Sequence, residues 1–333
     1  MNKVLKLYGP RDLRYEVETL PALGDHDVRV RSRLGAISAG TETAWYFGTD
    51  PQLDPSFRPG RVAAANFPRS LGYEKVAEVV EVGSDVSSVR EGQRVICRSG
   101  HEQERVLAED GVIAVPDGIT DEEAVACSLS TVAIHAIRRA RLQIGDDVFI
   151  TGQGFLGLLT VMIGRLAGAN RIVVSDPYES RLRLGSSLGA DHAVDPGAED
   201  LSAELSETYG AGAFDVAFET SSSYEALADA VAAVRRGGRI CVVSQLKGSY
   251  PKHPALGAEF HLEEQELISS DGRGDVRKLS RWYFEAIRRG ALTGIGDLFS
   301  HQVPFSEVER GLELLEQEPE AVTKIAVTYD ESV

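Results

Sequence analysis

Six consecutive residues carry the clearest chemistry in the chain. Gly152-Gln153-Gly154-Phe155-Leu156-Gly157 follows directly on an extended, β-branched run that ends at Thr151, and a helical pattern begins within it. A G-x-G-x-x-G run at a strand-to-helix turn suits a phosphate group. The first glycine permits a tight turn, the second lets backbone approach a pyrophosphate, and the third lets the helix pack on the strand. The helix N-terminus then offers N–H groups and the positive end of its dipole to the anion. Asp176 ends the next predicted strand, 19 residues after Gly157. A carboxylate there accepts hydrogen bonds from ribose hydroxyls and repels a 2′-phosphate, which favours NAD over NADP. Arg181 is close in sequence and is expected on the surface of the following helix. The competing reading is a glycine-rich turn of an α/β sheet that binds no nucleotide.

These residues need a strand, a turn and a helix in fixed succession, and the surrounding pattern supplies them. Residues 147–151, 171–176, 214–219, 239–244 and 266–270 read as strands, with a short extended piece at 192–194. Residues 155–167, 179–188 and 224–234 read as helices between them. Such alternation predicts βαβ units and a parallel, doubly wound sheet. The first third of the chain reads instead as short strands and turns, among them 28–33, 76–82 and 94–97. Residues 48–68 form a Pro-, Gly- and Arg-rich loop of a length that is usually functional or mobile. The texture changes after Pro116-Asp117-Gly118, where Thr120 is an expected N-cap for a helix to about Arg141. The tail predicts helices at 276–289 and 305–316 and a strand at 324–329.

Composition bounds the possible partners. The 333 residues are 43% hydrophobic and 26% charged, enough for a sizeable core in about two domains. Acidic residues outnumber Lys and Arg by 51 to 35, a net charge of −16. That balance argues against nucleic acid, whose binding depends on Lys and Arg neutralising phosphates. It also argues against docking on an anionic membrane. Three cysteines, Cys97, Cys127 and Cys241, make no disulfide framework and fit a reduced, cytoplasmic protein. No apolar run is long enough to span a bilayer, and the first residues do not read as a signal peptide.

Beyond the glycine turn and Asp176, several runs resemble the medium-chain dehydrogenase/reductase superfamily of alcohol-dehydrogenase type. They are Gly72-Tyr73-Glu74 before a VAEVVEVG stretch, Asp176-Pro177, Leu188-Gly189-Ala190-Asp191, Gly237-Gly238-Arg239, the tail from His301 to Phe305 and Lys324. The resemblance implies an α/β protein with a GroES-like, β-rich catalytic domain (1–126 and 271–333) and a Rossmann dinucleotide-binding domain (127–270), meeting at a cleft. It further implies an NAD-linked alcohol/ketone oxidoreductase on a small-molecule substrate, and homodimers, which are common in the family.

The departures from the family pattern concern the metal. Zinc-dependent members carry a cysteine where this chain has Ala39, in Ser38-Ala39-Gly40-Thr41-Glu42, and a histidine where it has Tyr73. Only Cys127 matches a third ligand position. Catalytic zinc takes about three protein ligands, so no metal is expected, the alternative being one held by Cys127 with Glu42 and Glu74, and the chain resembles a zinc-less branch that includes bacteriochlorophyllide dehydrogenase-like and sugar- or cyclitol-associated oxidoreductases. The structural zinc lobe is missing too, with Cys97 alone in its region.

Without zinc, a side chain must handle the hydroxyl proton. Tyr73 is the first candidate, unless it only fills the volume of the metal site. Thr41 matches the hydroxyl that begins the proton relay in zinc members, or is a turn hydroxyl. Glu42 and Glu74 match carboxylates just behind the metal. Buried together they should repel, raising one pKa, so that one is a base or both are structural. Thr131 matches a nicotinamide contact and Lys324 a cation that reaches the pyrophosphate. Cys127 reads as a small buried residue, His101 as a loop histidine beside the cleft, and His135 as structural, like His26, His192, His253 and His301. Trp45, Tyr46 and Phe47 wall the substrate pocket or belong to the core. The leading function is a zinc-independent, NAD-dependent dehydrogenase of a secondary alcohol: a sugar, cyclitol or specialised metabolite. The alternatives are an enoyl or quinone reductase, and an NAD-binding scaffold or sensor.

Overall fold

A computed structural model of the chain describes residues 2–54, 66–197, 201–247, 257–272 and 274–329. His253 and residues 55–65 of the Pro- and Arg-rich loop lie outside them. In chain order, β1 (Asn2–Gly9) and β2 (Asp12–Glu18) form a hairpin that the sequence pattern left unassigned. Then come β3 (Asp27–Ile37), α1 (Thr41–Tyr46), β4 (Arg69–Ser70), β5 (Glu74–Val82), β6 (Arg94–Cys97), β7 (Glu104–Ala108), β8 (Val112–Ala114) and α2 (Asp121–Arg139). Strict alternation follows: β9 (Asp147–Thr151), α3 (Phe155–Leu166), β10 (Arg171–Ser175), α4 (Glu179–Ser187), β11 (His192–Val194), α5 (Leu201–Tyr209) and β12 (Phe214–Glu219). It continues through α6 (Tyr224–Ala233), β13 (Val234–Val242), α7 (Ala258–Leu262) and β14 (Glu266–Ser269). The chain ends with α8 (Val276–Arg288), β15 (His301–Pro304), α9 (Val308–Gln317) and β16 (Ile325–Thr328). Two compact units result: Met1–Ser128 with Phe284–Val333, and Leu129–Tyr283.

The first unit is organised on β3. Its alternation buries Val28, Val30, Ser32 and Leu34 and turns the arginines between them outward, the period-two geometry of a half-buried strand. β3 pairs antiparallel with β5, β7 and β16, so the end of the chain is stitched to its first third. Val28, Val30, Ala77, Val79, Val95, Cys97 and Val112 form one core cluster. A second gathers Leu5, Leu7, Ile37, Trp45 and Tyr46 with Phe305, Val308, Leu312 and Ile325. Trp45 and Tyr46 are therefore core residues, with Phe47 packed against them. The Tyr46 hydroxyl donates to Glu309 Oε1 at 2.8 Å. Ahead of α2, Thr120 and Glu123 form the expected cap: Glu123 N donates to Thr120 Oγ1 (3.1 Å) and Thr120 N to Glu123 Oε2 (2.9 Å), a reciprocal capping box.

The second unit is a six-stranded parallel sheet in the order β11-β10-β9-β12-β13-β14. The order reverses between β9 and β12. In open α/β sheets that reversal leaves a crevice at the carboxyl ends of the strands, where ligands bind. α3 buries Leu158, Leu159, Val161, Met162 and Ile163. The sheet core runs through Phe149, Val173, Phe214, Ala217 and Ile240 to Leu227 and Val231 of α6. Arg239 of β13 holds the chain that follows α2. Its guanidinium donates to the carbonyls of Ala140 (2.9 Å) and Arg141 (2.5 Å) and to Asp146 Oδ2 (2.8 Å). Replacing it by leucine leaves the Asp146 carboxylate desolvated without its cation. Arg239→Leu is expected to cost about 3 kcal/mol, read as a lower urea midpoint with an unchanged slope.

Candidate functional site

In the second unit, β9 ends at Thr151 and the chain reverses through Gly152, whose φ of +83° suits a residue without a β-carbon. A β-carbon on Gly152 would lie 2.8 Å from Ser221 Cα. One on Gly157 would overlap the Gly152 carbonyl oxygen and stand 2.9 Å from Thr220 Oγ1. Helix and turn thus touch through bare backbone. Gly154 is different: a β-carbon there would meet nothing within 4 Å, and no side chain caps α3 at this residue. An open face in front of an uncapped helix N-terminus is what a phosphate needs. Phe155 is buried and Leu156 half-buried behind it.

Asp176 stands beside this turn, 3% exposed. Its Oδ2 accepts from Gln153 N (2.7 Å) and its Oδ1 from Tyr178 N (3.0 Å). The carboxylate and the glycine turn, separate in sequence, are one object in space. Arg181 departs from expectation. Rather than lying on the outer surface of α4, it turns back, with Nη1 3.8 Å from Asp176 Oδ2 and a side chain only 19% exposed. Its charge offsets part of the repulsion that Asp176 presents to a 2′-phosphate. Thr131 is buried in α2 at 3% exposure. The residues fit a dinucleotide: a glycine turn, an open helix terminus and a carboxylate for ribose.

In the first unit, the catalytic candidates form a connected cluster. Gly72 (φ +95°) turns the chain into β5, leaving Tyr73 half-buried before the buried Glu74. The Tyr73 hydroxyl donates to Ser38 Oγ at 2.9 Å, and Thr41 N donates to the same oxygen at 3.4 Å. Thr41 itself is exposed at the start of α1. Arg98 lies over the Tyr73 ring, 5.0 Å from its centroid. Burial, with the charges of Glu74 and Glu42, pushes the Tyr73 phenol well above 10, against the pull of the Ser38 and Thr41 hydroxyls. The phenol therefore stays protonated at neutral pH.

The two carboxylates are engaged by other residues. Glu42 Oε1 accepts from Ser38 N (2.8 Å), and Oε2 meets His101 Nε2 at 2.9 Å, both side chains 1% exposed. His101 Nδ1 lies 3.4 Å from the Tyr329 hydroxyl, so the buried ring lies between Glu42 and Tyr329. Glu74 Oε1 accepts from Lys324 Nζ at 2.8 Å, at 0% and 2% side-chain exposure. Its Oε2 is buried with no hydrogen-bond partner. Burial first, then Glu42, raises the Glu74 carboxyl above its ordinary value against the pull of Lys324, the direction expected of two buried acids. Lys324 is thus placed among the catalytic candidates, as the counter-charge of Glu74. Ser38 and Arg98 were not singled out from the sequence. Ser38 lies inside the diagnostic run, but no spacing rule reveals that its hydroxyl meets Tyr73.

A zinc ion does not fit these residues. Ala39 has no side-chain donor atom, the Tyr73 hydroxyl is spent on Ser38, and Glu42 and Glu74 are held by other partners. Among the described residues, no three His, Cys, Asp or Glu side chains stand together to hold a metal. Cys97, Cys127 and Cys241 are all buried, and none of them is in a disulfide.

Comparison with known proteins gives two family matches: "Zinc-binding dehydrogenase" over residues 156–285 and "Alcohol dehydrogenase GroES-like domain" over residues 25–136. The chain is 26% identical to D-guloside 3-dehydrogenase of Escherichia coli (strain K12), over 91% of this chain and 93% of that protein. It is 28% identical to L-idonate 5-dehydrogenase of Vitis vinifera, over 92% of this chain and 88% of that protein. The structure of 2R,3R-butanediol dehydrogenase from Bacillus subtilis superposes with a TM-score of 0.84 at 23% identity, over 99% of this chain and 100% of that one. This last likeness bears on the fold. Among the described residues, no helix is long and apolar enough to cross a membrane.

Two outcomes follow from the geometry. Gly157→Ala puts a methyl group into backbone that has no room to retreat, so NADH affinity should fall more than about tenfold in a fluorescence titration, with a lower melting temperature. Lys324→Met leaves the Glu74 carboxylate buried without its cation and should cost about 3 kcal/mol at neutral pH. A raised folded-state pKa makes ionisation of Glu74 a destabilising event as pH rises through it. The variant's deficit should therefore shrink as the solution is acidified towards about pH 5, measured by denaturant unfolding across pH.

Proposed function

This chain belongs to the medium-chain dehydrogenase/reductase superfamily and is an NAD(P)-dependent dehydrogenase of that type, and from this premise we propose that it interconverts a secondary alcohol and a ketone by hydride transfer, with NAD as cofactor and without zinc. The observation that carries the zinc-free reading is the Tyr73 phenol, held neutral within 2.9 Å of the Ser38 hydroxyl. When bound, the nicotinamide supplies or accepts the hydride. The protein has to manage a proton at the substrate oxygen. In ketone reduction the neutral phenol donates its proton to that oxygen and is reprotonated from solvent through the hydroxyls of Ser38 and Thr41; in alcohol oxidation it accepts the alcohol proton as its own leaves along the same two hydroxyls. Glu42 and Glu74, both committed to other groups, position the cluster and set its charge.

The glycine turn and the α3 N-terminus hold the pyrophosphate, and Asp176 reads the ribose. Phe155 and Leu156 keep the first turn of α3 packed behind the phosphates, and Thr131 contacts the nicotinamide. The preference for NAD rests on the Asp176 carboxylate and is tempered by Arg181. A polyhydroxylated substrate, such as a sugar or cyclitol, is supported by relatives named for a guloside and an aldonate. Assembly as a homodimer is supported by β14, the last strand of its sheet, with Leu267 40% exposed. Such an edge presents unpaired backbone groups to a second copy.

The test uses metal-stripped protein and a panel of sugars, cyclitols and aldonates. Turnover with NAD should survive chelation. Tyr73→Phe should keep the wild-type affinity for NADH while kcat falls by about 10² to 10⁴. Activity lost to chelator and restored by zinc overturns the metal-free reading. Equal affinity for NADH and NADPH overturns the assignment to NAD, and an unimpaired Tyr73→Phe removes the phenol from the chemistry.

A further inference from the structure

We propose that Glu219 is a positioning residue for the nicotinamide half of the cofactor, clamping the turn after β12 to the end of β13 beside the glycine-rich turn. The proposal rests on the NAD reading above and adds to it a residue outside the cofactor motif. Strand order reverses between β9 and β12, and a dinucleotide lies across that point, one mononucleotide on each half of the sheet. Asp176, at the end of β10, marks the half that receives the adenosine ribose. The ends of β12 and β13 therefore face the nicotinamide half.

Glu219 is the last residue of β12, level with Thr151 where the glycine turn begins. It is 0% exposed. Oε1 accepts from Ser221 N (2.6 Å), Ser221 Oγ (2.6 Å) and Ser222 N (2.8 Å), and Oε2 accepts from Ser244 Oγ (2.6 Å). Ser222 N also donates to Ser244 Oγ at 2.9 Å. One carboxylate thus joins the β12–α6 turn to the segment just beyond β13. Burial keeps its carboxyl above the ordinary value despite these bonds.

Two features argue against a purely structural acid. Ser222 has φ +69°, a left-handed conformation that a serine adopts at a cost and that persists only where its surroundings impose it. The turn it belongs to also touches the phosphate-binding turn directly. Thr220 Oγ1 donates to the carbonyls of Thr151 (2.8 Å) and Gly152 (2.9 Å), and Ser221 is the residue that a Gly152 side chain would strike. A strand end needs no carboxylate in order to pack, and burying one is costly. Holding a strained turn against a cofactor crevice accounts for it.

The test is Glu219→Gln in the full-length protein, with NADH and AMP as probes, titrated by fluorescence and calorimetry. The amide keeps the shape and can still accept from the Ser221–Ser222 turn, but towards Ser244 it can only donate, so a charge-assisted bond is replaced by a weaker neutral one of opposite direction. NADH affinity should fall about tenfold while AMP affinity stays within about twofold, because AMP occupies only the adenosine half. Ser244→Ala, which removes one clamp partner and leaves the acid in place, should show the same split and serves if Glu219→Gln does not fold. NADH and AMP weakening in parallel, or neither changing, overturns the clamp. Failure of the wild-type protein to bind NADH overturns the cofactor reading and the clamp with it. Normal NADH binding by both variants overturns the clamp alone.

Discussion

A carboxylate cannot be buried bare, and the functional parts of both units are arranged around acids that are. Glu42, Glu74, Asp176 and Glu219 are each 3% exposed or less. Each must recover, from fixed donors, the solvation it lost on folding. Glu74 draws Lys324 from 250 residues away. Glu42 takes the backbone N–H of Ser38 and the ring of His101. Asp176 takes two backbone N–H groups, from the glycine turn and from the start of α4. Glu219 takes four donors from two loops. The local geometry around each acid, including the left-handed conformation of Ser222 beside Glu219, follows from meeting that demand.

In the first unit, this demand separates roles that residue type alone confuses. Two glutamates beside a tyrosine look like a choice of general bases. With Glu42 and Glu74 engaged, the function proposed above assigns the proton exchange to the phenol, which burial and the two neighbouring charges keep neutral. The same charges that favour a neutral phenol make Lys324 necessary, since without it Glu74 would be an uncompensated buried anion. Chemistry and stability in this unit therefore rest on the same contacts.

The second unit shows where sequence reading reaches and where it stops. The glycine run could be read because its mechanism is local: each glycine answers a clash with backbone a few residues away. Asp176 could be read because the length of one helix fixes its distance from the turn. Arg181 was misplaced because the rotation of a side chain about α4 is set by what it meets across the turn. Glu219 gave no signal, since an acid at a strand end is common and its partners lie in separate loops. The β1–β2 hairpin was missed for a related reason: its residues are mostly half-buried on both faces, which blurs the alternation on which strand reading depends. Trp45 and Tyr46, equally suited by type to a pocket wall or a core, are core because α9 packs over them.

What the sequence determined by itself was therefore what depends on near neighbours: the strand–helix alternation of the second unit, the glycine turn between β9 and α3, the carboxylate after β10, and the replacement of metal-ligand types at Ala39 and Tyr73. Tertiary structure decided which charges meet. Lys324 with Glu74, His101 with Glu42, Arg181 with Asp176 and Ser244 with Glu219 all join residues brought together by packing. Coulomb and hydrogen-bond energies depend on distances of a few ångströms, and no pattern along the chain encodes those distances until the sheets have formed.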